Sequence, residues 1–236
     1  MTSTPENWRP KVDPLPEDLP AAPFALFQQW YDQAWAERRT PNANAMSLAT
    51  IDPDGAPSNR IVLCKGIEPD PGRIVFHTNY TGAKGRAIAA NPVVAACFHW
   101  DVYDRQVRMV GPVTKLTDAE SDAYYQTRHW TRRVGAWASD QSEPIGSRDE
   151  MIAKVDGAID KLGLDVMALM ASDEGGPPVE IPRPPHWGGF RIWPRSVELW
   201  SGGEGRVHDR AVWTRDVTPS GGSFECGGWS ATRLQP

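Results

Sequence analysis

Several common protein classes are marked by features that this chain lacks. It has three cysteines in 236 residues, and Cys64, Cys97 and Cys226 are odd in number and far apart. That count argues against a disulfide framework. Cys64 and Cys97 lie in apolar, strand-like runs, which predicts buried, reduced thiols in a cytoplasmic protein. No block of lysine and arginine occurs and the formal net charge is −5, so there is no electrostatic footprint for nucleic acid. Residues 1–20 have no apolar core of the signal-peptide kind, and the longest apolar run, VVAACF, is far too short to cross a bilayer. No GxGxxG follows a strand, so a Rossmann cofactor site is unsupported. A GxSxG elbow and an HExxH helix are also missing. The histidines, His77, His99, His129, His186 and His208, show no metal-ligand spacing. There is no internal repeat.

What is present suits one domain with a substantial core: 40% of residues are hydrophobic, and eleven are tryptophans. So many flat side chains need a core, an interface or a ring-binding site to cover them. Residues 1–22 carry prolines at 5, 10, 14, 16 and 20 without apolar periodicity, which predicts an extended or disordered arm ahead of a single domain over 23–236. Pro23 suits a first helical turn, and Phe24, Phe27, Tyr31 and Trp35 follow at helical spacing as a stripe to lay on the body.

From residue 45 the pattern turns to strands. AMSLATI and NRIVLCK flank the turn DPDGAPS, and RIVFHTN, VVAACFHW and RQVRMVGPVTKL follow. A short helix is expected over GAKGRAIAAN, stopped by Pro92. TDAE at 117–120 is a capping box opening a helix through SDAYYQTR, SRDE at 147–150 opens another towards Leu162, and residues 171–186 read as a Gly/Pro loop. WGGFRIW, SVELW, RVHDRAVW and WSATRL return to strands. Strands joined by tight turns, with few helices between them, predict a mainly β antiparallel barrel with peripheral helices.

Cations gather in four places. Arg60 and Lys65 bracket an apolar run, their separation placing them on opposite faces of an ideal strand. HTNYTGAKGR brings hydroxyls, Lys84 and Arg86 to a helix start, either a phosphate cradle or a solvated helix end. Tyr124, Arg128 and Arg132 recur every four residues, so one continuous helix would put them on one face, either around an anion or as an exposed basic face. If RVHDRAVW is extended from its start, Arg206, His208 and Arg210 share a face, as an anion site or a charged edge strand. Together the clusters ask for ligands with more than one anionic group.

These residues resemble a known family. NRIVLCKG, FHTN, AANP, FHW…DRQVRMVG, YYQTR, VGAWASDQS, HWGGFRIWPRSVELW, RVHDR and W…RLQP occur in the order seen in the pyridoxine (pyridoxamine) 5′-phosphate oxidase family, over roughly residues 24–236. The resemblance implies a Greek-key split β-barrel of the FMN-binding type, a homodimer with FMN at the subunit interface. It further implies oxidation of pyridoxine or pyridoxamine 5′-phosphate to pyridoxal 5′-phosphate, with O2 returning the flavin to its oxidised form and releasing peroxide. Carried over by motif, FMN would meet Arg60, Ile61, Val62, Leu63, Cys64 and Lys65, then His77, Thr78, Lys84, Gln106, Gln141, Ser142, Trp200 and Arg210. The substrate phosphate would meet Lys65, Tyr124 and Arg128, with Arg206 and His208 near the reacting carbon.

Four positions depart from the family pattern. His77 stands where a tyrosine is usual, Gly82-Ala83-Lys84 replaces Ser-Arg-Lys, and Arg132 replaces a serine at the substrate phosphate. The arm also lacks an Arg-x-x-Tyr segment. Arg86 is close enough in sequence to make up for the lost cation. Two other readings fit the same fold: a flavin oxidase of another ring, of the phenazine-pathway type, and a flavin- or pyridoxal-phosphate-binding protein without turnover. The retention of Lys65, Tyr124, Arg128, Arg206 and His208 favours the vitamin B6 phosphate reading.

Overall fold

Every second residue of Ala45–Ile51 (β1) is buried, Met46, Leu48 and Thr50, the period a half-covered strand dictates. In a computed structural model that describes residues 11–173 and 179–236, β1 lies in an antiparallel sheet. Its companions are Pro57–Glu68 (β2), Arg73–Asn79 (β3), Val93–Trp100 (β4), Arg105–Lys115 (β5) and Trp187–Ile192 (β6). The order β4-β1-β2-β3 is a Greek key, and β6 closes a six-stranded barrel by pairing with both β3 and β5. This is the expected mainly β architecture with helices around it.

Two changes of partner shape the barrel. On one edge β5 stays with β4. On the other, Arg105–Val110 pairs with Ser196–Ser201 (β7) and Val113–Lys115 pairs with β6. The switch falls at Gly111, where any Cβ would collide with the carbonyl of Trp193. From β7 the sheet continues through Asp209–Thr214 (β8) to Ser230–Leu234 (β11), while Val217–Ser220 (β9) and Ser223–Cys226 (β10) add a hairpin unforeseen in the sequence. The second change concerns β2. It pairs with β1 over 57–63 but meets β3 only from Cys64 onward. Past the pair Cys64 and Phe76 the strands part, leaving a fork with an unpaired edge of β2 on one side.

Helix Phe24–Glu37 (α1) packs across the barrel. Phe27 is fully buried, with its ring 5.1 Å from that of Phe98. Full burial of such a ring contributes about 1.5–3 kcal/mol. The buried stripe is Phe24, Phe27, Trp30 and Ala34. With 3.6 residues per turn this puts Trp35 at its margin, 49% exposed, rather than on the body as expected. The other helices are Ala83–Ala90 (α2), Asp118–Gln126 (α3), Trp130–Ala138 (α4), Arg148–Lys161 (α5) and Val166–Asp173 (α6). The Thr117–Glu120 capping box starts α3, and Ser147 caps α5. A second core of Val134, Ala138, Ala158, Leu169 and Ile181 joins α4, α5 and α6.

Three expectations are corrected. The helix through Tyr124 does not run on to Arg132: α3 ends at Gln126, Thr127 Oγ1 bonds back to the carbonyl of Tyr124, and α4 starts afresh at Trp130 capped by His129. The last basic strand does not begin at Arg206. Glu204–Arg206 form a 3-10 turn with φ of 64° at both Gly205 and Arg206, and β8 starts only at Asp209. Period-two alternation therefore cannot place Arg206, His208 and Arg210 on one face. The loop expected over 171–186 begins inside α6, and 174–178 lie outside the described residues.

Of the expected arm, residues 1–10 lie outside the described residues, while 11–22 are extended and pinned. Val12 bridges Gly203, the Leu15 N–H donates to Asp209 Oδ2 at 2.8 Å, and the Leu15 side chain is buried. The proline carbonyls serve as acceptors here, for Arg233 at Pro16 and for the indole of Trp213 at Pro20. Among the described residues no helix is long and apolar enough to cross a membrane.

Candidate active site

The fork between β2 and β3 opens into a cavity of about 450 Å3. From β2 it takes Arg60, Ile61, Val62, Leu63 and Lys65; from β3, His77 and Thr78; from α2, Lys84. Tyr124 comes from α3, Arg128 from the link to α4, Arg132 from α4 itself, and Gln141 and Trp187 complete the wall. The break between the helices does not scatter Tyr124, Arg128 and Arg132, and the opposite parity of Arg60 and Lys65 does not separate them, because the cavity wraps around a strand edge. Among the described residues, five cationic side chains line it and no carboxylate does. A second lobe of about 270 Å3, reaching Asn79 and Ser139, shares Arg128, Arg132, Gln141 and Trp187 with the first.

The cations are held at a cost. Burial lowers the Lys65 pKa, and Arg132 and Arg128 lower it further; burial and then Arg60 do the same to Lys84. Lys84 Nζ donates to Gln141 Oε1 at 2.6 Å and Thr78 Oγ1 at 3.2 Å, which ties α2 to the loop after α4. Arg60 is anchored on β1, donating to Thr50 Oγ1 at 2.6 Å and the Leu48 carbonyl at 3.3 Å. Arg128 lies 4.5 Å over the Trp187 ring, and its buried Nη1 has no hydrogen-bond partner among the described residues. A buried guanidinium N–H left unpaired is costly, and an anion in the cavity would satisfy it.

Beside the cations stands a deck of flat rings. His77 stacks on Tyr124 at 3.8 Å and on Trp187 at 5.3 Å, and neither of its buried ring nitrogens finds a partner among the described residues. Burial, then Arg128 and Lys65, push its pKa down to about 4, so the ring is neutral near pH 7. The neutral imidazole is flat enough to stack and keeps one donor and one acceptor nitrogen.

The other expected residues lie elsewhere. Cys64 is withdrawn from the cavity wall: its thiol is buried in the core, its pKa pushed up to about 12, and its N–H and C=O both bond Asn44. Ser142 Oγ accepts from the Ala83 N–H at the start of α2. Arg86 does not replace the missing cation, since it bonds the Thr81 carbonyl and Glu143. Gln106, Trp200 and Arg210 are register partners across β5, β7 and β8, and the Trp200 ring is 4.6 Å from that of His208. Arg210 is oriented by Glu198 Oε1, at 3.0 Å from Nε and 2.8 Å from Nη2. Arg206 projects from the exposed turn. Along the sheet these residues stand three to five strand spacings from β2, roughly 14–24 Å.

Trp187, Asn79 and Glu198 were not foreseen as site residues. Excess tryptophan pointed to ring binding in general, but no local pattern distinguishes Trp187 from the other ten.

Comparison with known proteins now bears on this geometry. Residues 32–160 match the pyridoxamine 5′-phosphate oxidase family. The chain belongs to that family. Residues 187–236 match the pyridoxine 5′-phosphate oxidase C-terminal dimerisation region. The pyridoxine/pyridoxamine 5′-phosphate oxidase of Gluconobacter oxydans is 44% identical over 220 residues, covering 93% of this chain and 96% of the relative. Among solved structures, PhzG from Burkholderia lata 383, in complex with tetrahydrophenazine-1-carboxylic acid, superposes with a TM-score of 0.77 at 26% identity, covering 95% of this chain and 99% of that one. A pyridoxamine 5′-phosphate oxidase-related, FMN-binding protein from Nostoc punctiforme shares the fold, with a TM-score of 0.63 at 19% identity over 92% and 100% of the two chains.

Proposed function

We propose that the protein is an FMN-dependent oxidase that converts pyridoxamine 5′-phosphate or pyridoxine 5′-phosphate to pyridoxal 5′-phosphate and passes the electrons to O2, giving hydrogen peroxide. The observation that carries this reading is the cavity at the strand fork, with five cations, no carboxylate and a deck of stacked rings. Fixed cations repel one another, and phosphorylated aromatic ligands are the chemistry that relieves them.

FMN fits the residues present. Arg60 and Lys84 would hold its phosphate, with Thr78, Gln141 and Ser142 around them, and the unpaired edge of β2 at Ile61, Val62 and Leu63 offers peptide groups to a polar ring edge. When bound, the flavin supplies the hydride acceptor and the path to oxygen. Lys65, Tyr124, Arg128 and Arg132 would grip the substrate phosphate, which satisfies the orphaned Arg128 N–H and fixes the ring's orientation.

The remaining residues point to a homodimer. Strands β1 and β4 show small side chains outward at Ala45, Ser47, Ala49, Ala95 and Cys97, and β2 exposes Ile61 at 66% and Leu63 at 37%. Two such faces packed about a two-fold axis would set the β2 end of one copy against the β7–β8 end of the other. Gln106, Trp200 and Arg210 of the second copy would then reach the flavin, with its Arg206 and His208 meeting the substrate.

A second reading, oxidation of another ring, is favoured by the likeness to PhzG. A ring carboxylate brings one negative charge where a phosphate brings up to two. The concentration of Lys65, Arg128 and Arg132 at one end of the cavity supports the phosphate. The test is direct. Protein reconstituted with FMN is mixed with pyridoxamine 5′-phosphate, and pyridoxal 5′-phosphate and peroxide are followed. Failure to turn yellow would sink the cofactor assignment; a yellow protein that makes neither product would sink the reaction. Arg206→Met should abolish turnover and keep the yellow colour.

A further inference from the structure

The turn between β7 and β8 fixes a hydrogen on His208. The N–H of Gly203 lies 3.1 Å from Nδ1 of His208. A backbone N–H can only donate, so Nδ1 is the acceptor, and in the neutral ring Nε2 carries the hydrogen. Gly203 has little freedom to turn away. A Cβ there would collide with the Val207 carbonyl, so the chain passes too closely for any other residue. Val12 of the arm bridges Gly203, the Lys11 N–H reaches Glu204 Oε2 at 3.2 Å, and the Glu204 N–H returns to the Lys11 carbonyl at 3.0 Å. On the other side the Gly202 N–H is held by the Asp104 carbonyl at 2.8 Å. Arg206 stands exposed on the same turn in the left-handed region, φ 64°, an uncommon conformation for a non-glycine residue. Neither its guanidinium nor His208 Nε2 has a hydrogen-bond acceptor among the described residues.

We propose that His208 acts as a hydrogen-bond donor through Nε2, locked in that tautomer by the Gly203 N–H and the arm behind it, and that it selects a ligand atom carrying a free lone pair. An oxygen anion or an unprotonated nitrogen fits; an ammonium group, which only donates, does not. The neutral ring has no acceptor left facing the ligand, so a proton lost by the substrate leaves by another route than His208. The nature of the ligand rests on the vitamin B6 phosphate reading; the tautomer does not.

Two measurements on the flavin-loaded full chain test this. Nitrogen NMR of protein labelled in histidine, with the signals assigned by their loss in His208→Gln, should show a pyridine-type Nδ1 and a pyrrole-type Nε2 at neutral pH. A hydrogen on Nδ1, or a doubly protonated ring, overturns the proposal whatever the substrate proves to be. Pyridoxal 5′-phosphate titration then compares two variants. The glutamine amide reaches the Nε2 position and can still donate, while His208→Asn reaches only the Nδ1 position. Asparagine should weaken binding about tenfold more than glutamine, the scale of one lost hydrogen bond. Equal weakening by the two overturns the donor role. If wild-type protein fails to bind pyridoxal 5′-phosphate at all, the substrate reading fails while the nitrogen shifts still decide the tautomer.

Discussion

Two groups of arginines that meet at Trp187 are treated in opposite ways. On the outer flank of β3 and β6, Arg183 bonds Asp118, Asp122 and the Trp187 carbonyl, Arg191 bonds Glu68 and Glu120, and buried Arg215 bonds the carbonyls of Pro71, Gly72 and Pro194 while lying 4.1 Å over Trp229. Within the fork, Arg128 and Arg132 share a cavity with Lys65 and have no carboxylate beside them. In these two groups the same side chain is structural where the fold completes its hydrogen bonds and receptive where the fold leaves them open. Satisfaction, not residue type or exposure, separates the two.

The comparison can be broken most sharply at Arg215. Arg215→Met strands three carbonyls in a buried pocket and should cost about 3 kcal/mol by urea unfolding. A loss below about 1 kcal/mol would show that the paired set is not structural. At Arg128 the prediction inverts. Arg128→Met should change the stability of the ligand-free protein by less than about 1 kcal/mol, because it removes a desolvated, repelled charge, yet weaken pyridoxal 5′-phosphate binding about 10- to 100-fold. A destabilisation matching that of Arg215→Met would move Arg128 into the structural group.

Acid titration sharpens the contrast. An unfolded His77 takes up its proton near pH 6.5, whereas the folded ring resists until about 4. Stability of the ligand-free protein should therefore fall as pH drops from 6.5 to 4, and His77→Phe should flatten that window. Glu120 lies on the paired flank, where the hydrogen bond from Arg191, then that from the Thr117 N–H, hold its pKa down to about 2. Its contribution is present above pH 4.5 and lost only between 4.5 and 2. A slope between 6.5 and 4 that survives in His77→Phe would place its source outside the cavity. The smallest effect is expected at Arg132, which is exposed. Arg132→Ser should weaken phosphate-ligand binding only about two- to fivefold, as partly screened charges do, with no change in urea midpoint.

Much of this was legible residue by residue. Alternating burial in AMSLATI, the turn DPDGAPS, the Thr117–Glu120 box and the Ser147 cap are local, and each is where the sequence places it. The misreadings were local too, and they arose where local rules compete. Thr127 turns its hydroxyl back on the chain and ends a helix whose charge spacing promised continuity. Glu204, Gly205 and Arg206 wind into a turn within a run that otherwise alternates like a strand. The arm's proline-rich composition hid its anchoring, because carbonyls at Pro16 and Pro20 serve as acceptors wherever a distant Arg233 or Trp213 offers a donor.

By itself the sequence determined the barrel strands, the caps at Thr117 and Ser147 and the inventory of cations, because those follow from neighbours a few residues apart. Only the tertiary structure decided which cations stay open. Arg86 is satisfied by Glu143, Arg210 by Glu198 and Arg191 by Glu68, partners 57, 12 and 123 residues away, whereas Arg128 is left facing a cavity made by the divergence of β2 from β3. A charge is quenched by whatever lies within a few ångströms of it, and for long-range partners that distance exists only once the barrel has closed.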